Sequence, residues 1–119
     1  MTVGLHIEMQ QNGDKRILRL EGQLDVMTAP ALVDAVTQLI EGEHRKILLD
    51  CAKVEAISPH AIKALLTLSK TVKNHRGLLV FFNCEPGFLH VLEQCKGAEK
   101  LLLFHDEKEA SEAVAAIAS

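Results

Sequence analysis

The side chains that could support chemistry in this chain are few, and most of them lie apart in the sequence. His60 follows a predicted strand that carries Asp50, and a His and an Asp at the carboxyl edge of a parallel sheet could transfer a proton. No nucleophile or phosphate-binding loop accompanies this pair, because the sequence contains no GxxxxGKS/T, GxGxxG, GxSxG or HExxH motif. The sequence therefore favours a protein that binds rather than catalyses, and it predicts no cofactor.

Two other groups of residues could bind a metal ion, but each has a more ordinary interpretation. Asp25 and Asp50 could act as paired carboxylate ligands, although acidic residues at strand ends and in loops more commonly cap the backbone. The cysteines, Cys51, Cys84 and Cys95, are odd in number and form no CxxC, so neither a zinc site nor a disulfide framework is indicated. We expect no metal, and we expect reduced cysteines that are mostly buried as small hydrophobic residues.

The composition argues against several classes of function. The chain has 119 residues, of which 48% are hydrophobic, and this size suits a single domain over residues 1–119. The net charge of −3 comes from interspersed acids and bases, which argues against a surface for nucleic acid or anionic membranes. No apolar run approaches the roughly 20 residues that span a bilayer. The N-terminus lacks the pattern of a signal peptide, so we expect a cytoplasmic protein.

The pattern of apolar residues predicts the elements that must position these groups. Alternating segments at residues 5–9 and 17–20 flank turn residues and predict an antiparallel hairpin. Short apolar runs predict three further strands, at 46–51, 78–82 and 101–104. Amphipathic periodicity predicts four helices, over about 28–41, 59–75 and 86–96 and from 106 onward. The fold class is therefore α/β, with a mixed β-sheet, an N-terminal hairpin and about four packed helices.

The predicted helix starts carry capping residues. Ser58 is a preferred N-cap, and Pro59 at the first helical position has a preset φ and no N–H that would go unbonded. This capping role requires no further function. Thr28 is the predicted cap of the first helix, and Asp106 followed by Glu109 predicts an acidic variant of the capping box at the last one.

Several motifs, taken in order, resemble the STAS domain, the fold of bacterial anti-sigma factor antagonists and of the cytoplasmic tails of sulfate transporters. The G-x-L-D of that family is matched by Gly22-Gln23-Leu24-Asp25. Its strand ending in L-D and the following V-x-x-I are matched by Leu49-Asp50 and Val54-Glu55-Ala56-Ile57. Later positions also match, namely Gly77, Leu78–Phe82, Pro86, Gly97, Phe104, Asp106 and Ala110. The resemblance covers almost the whole chain and implies a STAS-like fold.

The resemblance places the regulatory position of the family at the start of the second helix. In regulated members this helix begins D-S-S-G, and a kinase that doubles as an anti-sigma factor phosphorylates the second Ser. The matching positions here are Ser58, Pro59, His60 and Ala61, so His60 replaces the phosphoacceptor. A serine kinase is not expected to phosphorylate His60. Ser58 is the alternative, displaced acceptor, although its hydroxyl is less free to react if it caps the helix.

The resemblance implies a non-catalytic module that binds an anti-sigma factor or a related GHKL-type serine kinase. The implied partner surface joins the Asp25 loop to the second helix start and comprises Asp25, Thr28, Ser58, Pro59, His60 and Lys63. Other functions stay open: a scaffold subunit of a stress-signalling complex, a STAS partner of a membrane transporter, and weak nucleotide binding or hydrolysis. Neither nucleic-acid binding nor membrane insertion is expected, and a homodimer stays open.

Overall fold

The computed structural model of the protein describes residues 4–117, so the ends of the predicted domain, residues 1–3 and 118–119, lie outside the described residues. The strands are β1 (Leu5–Asn12), β2 (Lys15–Leu24), β3 (Lys46–Ile57), β4 (Leu78–Phe82) and β5 (Leu102–Phe104). The α-helices are α1 (Ala29–Glu41), α2 (Pro59–Asn74), α3 (Pro86–Glu93) and α4 (Glu107–Ala115), and a 3-10 turn spans Ala98–Lys100. The predicted order of strands and helices is confirmed.

One mixed sheet organises the fold, with strand order β1-β2-β3-β4-β5. The pair β1 and β2 is the predicted antiparallel hairpin, and the later pairs are parallel. The two faces of the sheet are covered unequally. Helix α4 packs on one face against Ile17, Leu48, Val80 and Phe82. The larger core lies on the other face, where α1, α2 and α3 pack.

Strand β3 is longer than the apolar run that predicted it. The prediction ended this strand at Cys51, whereas the structure continues it to Ile57. Beyond Cys51 only Val54 is buried, so the sequence lacks the continuous apolar run of a central strand. The extension is held by backbone pairing with β2, up to the pair of Leu24 and Ile57. As a result, β2 and β3 end together, well beyond the end of β4.

The predicted helix over residues 86–96 is also divided differently in the structure. Helix α3 ends at Glu93, and a short 3-10 turn follows at Ala98–Lys100. Gly97 lies between them with a φ of 88°, a left-handed conformation that suits glycine. The predicted break at Gly97 is therefore confirmed, although the helix stops earlier.

Candidate functional site

Asp25 and Thr28 form a reciprocal turn directly after β2. The Asp25 Oδ1 atom accepts hydrogen bonds from the backbone N–H groups of Met27 at 2.9 Å and Thr28 at 3.1 Å. In return, the Thr28 Oγ1 atom accepts from the Asp25 N–H at 2.9 Å and donates to the Gln23 carbonyl at 2.8 Å. Thr28 is the N-cap residue of α1, as predicted, but its hydroxyl makes no capping hydrogen bond to the helix because it is occupied by this turn.

The reciprocal turn presents two apolar residues to solvent. Val26 is 60% exposed and Met27 is 83% exposed. Both lie inside the turn that Asp25 and Thr28 close, so those hydrogen bonds hold the backbone that carries them. Adjacent exposed apolar side chains held in a fixed loop are typical of a contact surface for another protein.

The start of α2 lies beside this turn because β2 and β3 end at the same edge of the sheet. The Ser58 N–H donates to the Leu24 carbonyl at 3.0 Å, and the Ser58 Oγ atom accepts from the Ala61 N–H at 3.3 Å. Ser58 is thus the predicted N-cap, with Pro59 as the first helical residue. Ala61 is fully buried, which fixes the rotation of the helix and leaves His60 exposed.

A shallow groove of about 520 Å³ runs between the first turns of α1 and α2. His60 and Lys63, two residues of the predicted partner surface, line one side of it. The residues that sequence reasoning missed supply most of the opposite side: Val26, Ala29, Pro30, Val33 and Asp34. Four of them lie in the first turns of α1, where the i, i+4 spacing of 29 with 33 and of 30 with 34 places each pair on one side of the helix, and this spacing is the signal that could have revealed them.

Five of the six predicted surface residues fall into two groups, and the sixth, Pro59, is exposed as the first residue of α2. His60 and Lys63 face the groove, whereas Asp25, Thr28 and Ser58 hold the two loops that form it. The groove contains apolar side chains, one imidazole, one ammonium group and one carboxylate. This composition suits contact with another protein surface.

Asp50 lies far from the groove, within the pairing of β2 and β3. Its register partner is Arg19, and Asp50 is seven residues before the end of β3, about 20 Å along the strand. The structure therefore excludes a proton-transfer pair of His60 with Asp50. It equally excludes paired carboxylates of Asp25 and Asp50. Both hypotheses failed because β3 is longer than its apolar run.

Asp50 instead belongs to an ion-pair network that ties α4 to the sheet. Arg19 Nη1 lies 2.8 Å from Asp50 Oδ2, and Arg19 Nη2 lies 3.0 Å from Glu107 Oε1. The Asn83 amide donates to Asp50 Oδ1 at 3.3 Å. Burial opposes the charge on Arg19, but its hydrogen bonds to Asp50 and Glu107 raise the pKa of the guanidinium above its ordinary value. The network is structural, since every charged group in it has a partner.

The family of the chain follows from comparison with known proteins. A family model described as the STAS domain matches residues 6–110. The chain belongs to the STAS domain family. A comparison of this STAS domain with curated proteins gave no significant match.

Solved structures share the fold of this STAS domain at low sequence identity. A crystal structure described as a candidate anti-sigma factor antagonist of Thermotoga maritima has a TM-score of 0.82 at 18% identity, covering 92% of this chain and 94% of that one. An anti-sigma factor antagonist from Mycobacterium paratuberculosis has a TM-score of 0.81 at 17% identity, covering 93% and 94%. The anti-sigma factor antagonist SpoIIAA in its unphosphorylated form has a TM-score of 0.69 at 15% identity, covering 94% and 100%. At these identities the likeness establishes the fold.

Two further findings concern residues 4–117. Within that range no helix has both the length and the apolar character needed to cross a membrane. Among the same residues, no cluster of three or more His, Cys, Asp and Glu side chains is arranged to hold a metal ion.

Proposed function

We propose that this STAS domain is a non-catalytic regulatory module that binds a partner protein through the groove between α1 and α2. The observation that carries the proposal is the exposed apolar pair Val26 and Met27, which lies in a hydrogen-bonded turn beside the start of α2. Solved relatives named as anti-sigma factor antagonists share the fold, which supports a partner of the anti-sigma factor and serine kinase type.

Burial of the groove and of the adjacent exposed Met27 would supply the binding energy. Removing a large exposed side chain such as Met27 from water contributes about 1.5–3 kcal/mol, and the loop that carries it is already ordered. Lys63 at the opposite side adds a positive charge, which favours a partner with a carboxylate near its own apolar contact.

The same proposal assigns His60 the position at which relatives of the regulated type carry a phosphorylated Ser. Serine kinases transfer phosphate to a hydroxyl oxygen, and the imidazole of His60 offers none. Ser58 has a hydroxyl, but its oxygen already accepts the Ala61 N–H at 3.3 Å as the cap of α2. We therefore propose a partner interaction that serine phosphorylation at this position does not switch off.

Affinity purification of the tagged chain from its native cell tests the proposed class of partner. Recovery of a protein with a GHKL-type kinase domain, which then binds the purified chain directly, is the expected result. Recovery of only transporter subunits, or of a large complex built on many copies of this chain, would contradict it and would favour the transporter or scaffold alternative.

A further inference from the structure

Cys51 and Cys84 meet where β4 ends against β3. Asp50 pairs with Phe82 as the last pair of these strands, and the Asn83 amide donates to the Asp50 carboxylate at 3.3 Å. Cys51 directly follows Asp50, and Cys84 directly follows Asn83. The hydrogen bond between Asp50 and Asn83 therefore holds the loop that carries Cys84 against the strand that carries Cys51. Both side chains pack in the same hydrophobic cluster, Cys51 within it and Cys84 against it.

The two thiols differ in their access to solvent. Cys51 has no exposed surface, whereas Cys84 is only partly buried and lines a cleft of about 580 Å³ with Asn83, Leu89 and His105. A small oxidant can therefore reach Cys84 from the cleft, but it cannot reach Cys51 directly. The Cys51 sulfur lies 3.8 Å from the Leu49 carbonyl oxygen, a long and weak hydrogen bond.

The contact also prepares Cys84 to react. The hydrogen bond from Cys51 lowers the pKa of Cys84 even though burial opposes this. The same hydrogen bond, together with burial, raises the pKa of Cys51. Cys84, the more accessible of the two thiols, therefore has the greater thiolate character. The thiolate is the form that attacks a peroxide.

We propose that Cys84 is a site of oxidation by peroxides and that Cys51 is the thiol that resolves it as an intramolecular disulfide. In the first step the Cys84 thiolate attacks hydrogen peroxide. A sulfur–oxygen bond forms, the oxygen–oxygen bond breaks, and hydroxide leaves, so that sulfur loses two electrons and peroxide gains them. In the second step the Cys51 sulfur attacks the Cys84 sulfenic acid. The sulfur–sulfur bond forms, the sulfur–oxygen bond breaks, and the departing hydroxyl group takes the Cys51 proton as water.

Peptide mapping after peroxide treatment tests this proposal in a Cys95→Ser background. The substitution is needed because trypsin leaves Cys84 and Cys95 in one peptide, residues 77–96, whereas Cys51 lies in the peptide 47–53. Neither peptide contains Met, so methionine oxidation does not complicate their masses. We expect a linked pair of these peptides with the loss of two hydrogen atoms, reversed by dithiothreitol.

Two variants assign the roles of the thiols. With Cys51→Ala added, peroxide should leave Cys84 carrying one or more oxygen atoms, with no linked peptides. With Cys84→Ser added, Cys51 should stay available for alkylation after the protein is unfolded. Alkylation of both thiols in the Cys95→Ser protein after peroxide treatment, or disulfides formed only between molecules, would overturn the proposal. This measurement involves no partner protein, so its failure is distinct from failure of the proposed function.

Discussion

The backbone N–H of Ser58 donates to the carbonyl of Leu24 at 3.0 Å, which joins the start of α2 directly to the end of β2. Asp25 follows Leu24 immediately, so the turn that Asp25 closes, with its exposed Met27, lies beside the capped start of α2. The proposed partner surface thus depends on this turn and on the Ser58 cap, and the cap can be tested separately from binding.

Replacing Ser58 by Ala should destabilise the protein by about 1 kcal/mol, because the Ala61 N–H loses its side-chain acceptor. Chemical denaturation monitored by circular dichroism measures this change in the free energy of unfolding. Ser69→Ala, in the middle of the same helix, is the matched control and should be neutral or slightly stabilising, because Ala has the higher helix propensity. Equal losses at the two positions would show that Ser58 does not act as a cap.

Replacing Arg19 by Leu should cost about 2 kcal/mol of stability, because Asp50 is only 14% exposed and would keep its charge without the cation. The control is Lys53→Leu. Its ion pair with Glu21 is 3.7 Å long and exposed, so its loss should cost less than about 0.5 kcal/mol. Similar values for the two variants, measured by urea denaturation, would contradict the structural role of the Arg19 network.

The stabilising effect of the α4 cap should weaken as the pH falls into the acidic range. Donation from the Glu109 N–H, at 3.0 Å, is the main cause that lowers the pKa of Asp106 below its ordinary 3.8. A carboxyl group with a lower pKa in the folded state stabilises that state above its unfolded pKa and loses this effect as the pH falls. The destabilisation caused by Asp106→Ala should therefore be present in full at neutral pH and should shrink at about pH 3.

Urea denaturation of the wild type and Asp106→Ala at both pH values measures this difference. Glu112→Ala, at an exposed position of the same helix, serves as the control. A difference between wild type and Asp106→Ala that is unchanged or larger at low pH would show that the Asp106 carboxylate does not stabilise the cap.

His60→Ser should make partner binding sensitive to a kinase. A phosphate on Ser at position 60 adds about −1.5 to −2 charge at the groove, which would disturb an apolar contact. Binding of the variant to a GHKL-type partner should therefore weaken in the presence of ATP, whereas binding of the wild type should not change. Intact-mass measurement should detect one phosphate on the variant only. A phosphate on wild-type Ser58 would contradict the proposal that this position is not phosphorylated.

The order of elements could be predicted from sequence because each element has its own local signal. Apolar runs marked β4 and the first half of β3, and the Ser58-Pro59 pair marked the start of α2. The second half of β3 gave no such signal, since its outer residues are exposed and its stability comes from backbone pairing with β2. For that reason the prediction that Asp50 lies at the end of its strand, near His60, is wrong.

The candidate site was only partly predictable for a related reason. His60 and Lys63 could be placed by the family pattern, and they line the groove. The exposure of Val26 and Met27 depends on which way the turn after β2 faces. That orientation is set by hydrogen bonds within the turn, which the N–H groups of Met27 and Thr28 donate to the Asp25 carboxylate. No periodic pattern encodes it.

The central claim is that a partner binds the groove beside Met27, and a binding titration of Met27→Asp against Met9→Asp tests it most directly. Both methionines are exposed, at 83% and 53%, so neither change should affect folding, but Met9 lies on β1 away from the groove. Calorimetric titration with the purified kinase-type partner should show binding weakened about ten- to a hundred-fold by Met27→Asp and unchanged by Met9→Asp. Equal affinities for wild type and Met27→Asp would contradict the account.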